Sequence, residues 1–114
     1  MNYEIVATKT FRKKVKELSK KYHSLKNDLE EFEKELLKNP EMGDNLGGNV
    51  RKVRMAITSK NKGKSGGARV ITFHFFVDFA HTDIYLLTIY DKGEQRTISS
   101  HEIENLKKES DLFS

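Results

Sequence analysis

The chain has no cysteine, which excludes disulfides, thiolate nucleophiles and cysteine-ligated zinc. It has one proline, Pro40. Long apolar runs are missing too. The longest with few interruptions, Val70–Phe79, is about half of what a bilayer-spanning helix needs. The opening residues, Met1 to Val6, lack a basic start followed by an apolar core, so no secretory signal is expected. These absences lead to the expectation of a cytoplasmic protein that does not enter a membrane. A further absence is local: between Asn45 and Val77 there is no Asp or Glu.

The 114 residues predict a single domain over 1–114. Hydrophobic residues at 36% suffice for a core, and the 33% that are charged carry both signs, which argues against disorder. The acid-free segment holds Arg51, Lys52, Arg54, Lys60, Lys62, Lys64 and Arg69. That is +7 within a net charge of +4, so the rest of the chain sums to −3. A basic block on a mildly acidic chain predicts a localised positive surface, and phosphate is its natural partner. A solvated lysine-rich turn is the competing reading for Lys60, Lys62 and Lys64.

Periodicity sets out the elements. Asn2–Ala7 reads as a short strand. Phe11, Val15, Leu18 and Tyr22 then share one helical face, with Thr8 or Thr10 as cap. Leu25, Leu29, Phe32 and Leu36 repeat the spacing in a second helix, which Asn39-Pro40 ends. The spacing predicts helices over 9–23 and 25–38, forming a hairpin that needs a sheet to cover its apolar stripe. Glu41–Asn49, with three of the seven glycines, reads as loop. Val53, Met55 and Ile57 then alternate with polar neighbours, as in a half-buried strand. Ser59–Gly67 reads as a turn, whose glycines and lysines suggest mobility. Two further strands follow, Arg69–Phe79 and Ile84–Asp91, with a turn at Ala80–Asp83. Ser99 and Glu102 form a capping box that opens a short last helix. The fold class is therefore α+β: an N-terminal strand and helical hairpin packed on an antiparallel sheet, with Leu18, Leu29, Phe32, Leu36, Val53, Met55 and Ile57 in the core.

His23, His74, His81 and His101 are scattered without metal-ligand spacing, and no nucleophile or dinucleotide motif occurs. Gly63-Lys-Ser-Gly-Gly67 lacks the earlier glycine of a phosphate loop, and no helix follows it. No metal and no cofactor is expected. The cations say more. Lys52 and Arg54 are two apart, so both leave one face of a strand whose other face is apolar. Arg69 opens the neighbouring strand. It is placed at a strand edge, its guanidinium solvated, with Gly66-Gly67 allowing close approach to the next strand. Tyr90 and Lys92 again share a face. Four cations and a phenol are thus expected to converge on an open sheet face.

Lys52-Val-Arg54, then Gly63-Lys-Ser-Gly-Gly-Ala-Arg69-Val-Ile, then Tyr90-Asp-Lys92-Gly-Glu94, together with Asn39-Pro40-Glu-Met-Gly43, resemble the RelE/HigB toxins of bacterial type II toxin–antitoxin systems. The resemblance covers essentially the whole chain. It implies a metal-independent endoribonuclease that cuts mRNA in the ribosomal A site by attack of a 2′-hydroxyl on the adjacent phosphate. It also implies neutralisation by a cognate antitoxin, a small DNA-binding protein encoded nearby. On this resemblance the catalytic residues are Lys52, Arg54, Arg69, Tyr90 and Lys92. Arg69 is the first choice for the scissile phosphate, and Arg51, Lys60, Lys62 and Lys64 are RNA-binding. The related ParE-like toxins, which inhibit gyrase, share the fold and supply the alternative. A non-catalytic relic that binds RNA or antitoxin is the third reading.

Overall fold

The computed structural model describes residues 1–95 and 97–110. Its elements are β1 (Asn2–Ala7), α1 (Lys9–Lys21), α2 (Leu25–Lys38), β2 (Asp44–Gly47), β3 (Val50–Met55), a 3₁₀ turn (Thr58–Lys60), β4 (Ala68–Asp78), β5 (His81–Asp91) and α3 (Ser100–Glu109). The five strands form one sheet in the order β1-β5-β4-β3-β2. The last three strands make the expected antiparallel meander. The sheet as a whole is mixed, because β1 runs parallel to β5. Thr8, where β1 ends, gives both its N–H and its hydroxyl to the Leu86 carbonyl, so the chain leaves along β5. The same Thr8 hydroxyl accepts from the Phe11 N–H and caps α1.

The two faces of the sheet build two cores. On one, α1 and α2 bury Phe11, Leu29, Phe32 and Leu36 against Val53, Met55, Ile57, Val70, Ile84 and Ile89. Leu18 is partly buried at the margin of this core. On the other, Ile103 of α3 packs on Val50, Ile71, Phe73, Leu87 and Tyr90. Strict alternation does not put Leu86 and Ile89 on one face with Leu87 and Tyr90 on the other. The register shift does: Ile71 pairs Thr88 whereas Thr72 pairs Leu86, leaving Leu87 as an extra residue.

Three features differ from the sequence reading. Asp44–Gly47 is a strand, exposed throughout, whose pairing with β3 rather than any apolar pattern defines it. β5 begins at His81, since pairing with Asn2 and Asp78 extends it past the expected turn. The sheet face opposite the helical hairpin is not open, because α3 covers its middle. Among the described residues no helix is long and apolar enough to cross a membrane.

Candidate nucleic-acid interface

Register fixes the centre of the site. Arg54 on β3 lies directly opposite Arg69 on β4, and Arg69 lies opposite Tyr90 on β5. The three form one row across three strands, on the face that carries α3. Lys52, two residues before Arg54, shares that face and pairs Ile71. Arg54 is exposed and Lys52 half-buried. Val53 and Ile57, each only 1% exposed, turn the other way, as the alternation required. Lys52, Arg54 and Lys64 line a cleft of about 410 Å³ with Asp44, which is the register partner of Lys52.

Arg69 is neither at a sheet edge nor solvated. β4 is the central strand, and Arg69 is 5% exposed. Its Nη1 donates to the carbonyls of Lys64 and Ala68, both at 3.1 Å, and its Nη2 to Ser65 at 3.0 Å. Burial pulls its pKa down, and the neighbouring Arg54 pulls the same way. The guanidinium is therefore a fixed positive charge beneath Arg54, held by the turn it holds in place. Gly67 makes the approach possible, because a Cβ there would collide with the Met55 carbonyl oxygen. Tyr90 is also covered, at 7% exposed, and among the described residues its buried hydroxyl has no hydrogen-bond partner. Burial raises its pKa, with Arg69 opposing.

The remaining cations separate. Lys92 lies past the end of β5 and does not join the row; it lines a second cleft, of about 400 Å³, with Lys60 and Lys62. Arg51 points away from Lys52, as alternation demands, and its Nη1 donates to the carbonyls of Glu41 (2.8 Å) and Gly43 (3.4 Å). Lys64 keeps its place in the first cleft while pairing Glu35 at 3.1 Å.

Lys60 departs furthest from a solvated loop lysine. Its side chain is 12% exposed, and its Nζ sits 2.5 Å from Asp91 Oδ1. The Asp91 carboxylate also accepts from the Tyr22 hydroxyl and the Gly93 N–H. Burial alone raises the Asp91 pKa, but hydrogen bonds from Lys60, Tyr22 and Gly93 outweigh it and hold the carboxyl below its usual range. Asp91 thus ties the end of α1, the 3₁₀ turn and the end of β5 together, directly behind Tyr90. Sequence reasoning missed it. The only available signal was an acid directly after the apolar run Ile84–Tyr90, where burial calls for a cationic partner.

The turn between β3 and β4 is pinned along its length. Asp28 accepts from the Thr58 N–H (2.9 Å), Ser24 accepts from the Ser59 N–H (2.9 Å), and Lys60, Lys64 and Arg69 hold the rest. Its glycines and lysines predict mobility, but its contacts fix it in place. The α+β scaffold agrees with a comparison of sequence families. Residues 3–114 match the family model described as the RelE toxin of the RelE / RelB toxin–antitoxin system, and the chain belongs to that toxin family.

Proposed function

We propose that this protein is a ribosome-dependent mRNA endoribonuclease of the HigB-type branch, which cleaves in the A site and is neutralised by a cognate antitoxin. The observation that carries the reading is the Arg54–Arg69–Tyr90 row with Lys52 beside it. Cleavage by 2′-hydroxyl attack forms the 2′-O–P bond and breaks the P–O5′ bond, leaving a cyclic phosphate and a free 5′-hydroxyl. The transition state gathers negative charge on the phosphoryl oxygens, and cations already in place stabilise it without reorganising.

In this reading the exposed Arg54 takes the phosphate. Arg69 supplies a second, pre-set positive charge from below. Lys52, accessible in the same cleft, is the proton-transfer group. Tyr90, beneath the surface, acts as a positioning residue that packs against the row. Lys62 and Lys92, in the second cleft, bind flanking phosphates through counterion release.

Arg54→Ala tests this, because Arg54 is exposed and its loss leaves the core untouched. Single-turnover cleavage on programmed ribosomes is expected to fall by about 10²–10³, with an unchanged circular dichroism spectrum. Wild-type cutting by the variant would overturn the assignment. Inhibition of gyrase supercoiling by the wild type, without mRNA cuts, would replace the function by the ParE-like one.

A further inference from the structure

The α3-side face of the sheet has a second cluster of chemistry at its far end, away from the cations. Glu4 on β1 and Asp83 on β5 are register partners across the parallel pair. His81, two residues before Asp83, leaves the same face of β5. His81 Nε2 lies 2.8 Å from Asp83 Oδ1 and 3.8 Å from Glu4 Oε2. One ligand atom from each residue lies within 4.8 Å of the others, and among the described residues no other group of this kind occurs. His81 and Asp83 are half-buried on a strand paired on both sides, so their backbones are fixed; Glu4 is exposed and free to adjust.

The charge at this place is also unusual for the molecule. The chain has more Lys and Arg (21) than Asp and Glu (17). Yet among the described residues neither Glu4 nor Asp83 has a lysine or arginine within ion-pairing distance, and His81 is the one basic side chain paired with either. Two adjacent carboxylates sharing one imidazole, with no cation of the protein's own, suit an external cation. A tetrahedral ion with bonds of about 2.0–2.1 Å places its donors about 3.4 Å apart. The observed spacings reach that with small side-chain movements. The donor set selects the ion: hard Mg²⁺ and Ca²⁺ require more oxygens, soft ions require sulfur, and one imidazole with two carboxylates suits a borderline ion.

We propose that Glu4, His81 and Asp83 form a three-ligand site for a divalent ion of the zinc type, with water completing the coordination, and that the ion clips β1 to β5. Sequence spacing did not reveal it, because one ligand comes from the opposite end of the chain. The proposal is independent of the RNA-cleavage reading.

Isothermal titration of the full chain with Zn²⁺ tests it, with thermal unfolding in parallel. The wild type is expected to take up one ion saturably and to melt at a higher temperature with Zn²⁺ than without. His81→Ala and Asp83→Asn are expected to weaken uptake by roughly tenfold or more, since even outer-shell losses cost that much. His101→Ala, on α3, is expected to bind as the wild type does. Glu4→Gln, at an exposed edge position, gives the same reading if a β5 variant fails to fold. No saturable uptake up to millimolar Zn²⁺ would overturn the site. So would wild-type affinity in His81→Ala or in Glu4→Gln, or loss of uptake in His101→Ala.

Discussion

The β3–β4–β5 meander has two ends that contrast with their compositions. The β3–β4 turn is lysine- and glycine-rich, yet Asp28, Ser24, Glu35, Asp91 and Arg69 anchor it. The β4–β5 hairpin tip is apolar, yet Phe76, Val77 and Phe79 are exposed, Phe79 at 96%. Burial here follows topology. The turn folds back onto α1, α2 and the end of β5, where Thr58, Ser59, Lys60 and Lys64 meet partners. The tip projects past both helical layers, so neither covers it. Polar groups fix the one end, and among the described residues no helix covers the other.

The largest expected effect comes from breaking the polar anchor. Asp91→Ala leaves a mostly buried Lys60 ammonium and the Tyr22 hydroxyl without their acceptor. It should cost about 3 kcal/mol, read from urea unfolding, and should speed amide exchange in residues 57–67 more than at the tip. A loss below about 1 kcal/mol would mean the clasp is dispensable.

The pH dependence of the anchor has two limits. The folded pKa of Asp91 is depressed, so its contribution is present above the unfolded value, about 3.9, and is lost as pH falls through the lower folded value. Tyr22 has a raised pKa, with the hydrogen bond to Asp91 as the main cause. Its contribution is complete below the unfolded value of about 10 and is lost as pH rises through the folded one. Thermal unfolding across pH should therefore show stability falling at both extremes, and Asp91→Asn should flatten the acid limb. An unchanged acid limb in that variant would assign the effect elsewhere.

Gly67→Ala forces a methyl group against the β3 backbone at Met55 and should cost about 2 kcal/mol. It should also displace Arg69, lowering cleavage along with stability. At the other end, Phe79→Ser should change stability by less than about 0.5 kcal/mol, as for a surface site. A larger loss by differential scanning calorimetry would show that the tip is packed, and the contrast between the two ends would disappear.

The helices, the meander and the direction of Lys52 and Arg54 were legible because each rests on a local period of 3.6 or 2. The same period of two places Arg51 opposite Lys52, so its separation from the row was readable as well. The burial of Arg69 and the pairing of Lys60 were not legible. Both depend on where the turn lands after closing, which no local pattern encodes. β2 was missed because an exposed edge strand carries no apolar alternation. The covering of Tyr90 was missed because the partner face of α3 lies ten or more residues away in sequence, and amphipathicity alone does not name the face a short helix meets.

The extra residue at Leu87 makes the spacing along β5 as consequential as its chemistry. Held in the regular ladder instead of bulged out, that one residue would send everything after it to the other side. Tyr90 would swing beneath α1 and the Asp91 carboxylate would be delivered to the two arginines, cancelling the positive charge there. Deletion of Leu87 itself keeps the pairing, but gain or loss of a residue elsewhere in β5 should be tolerated far less well than exchange of one apolar side chain for another. Length changes in relatives that keep the cation row should fall outside the strand or at the bulge, or come in compensating pairs.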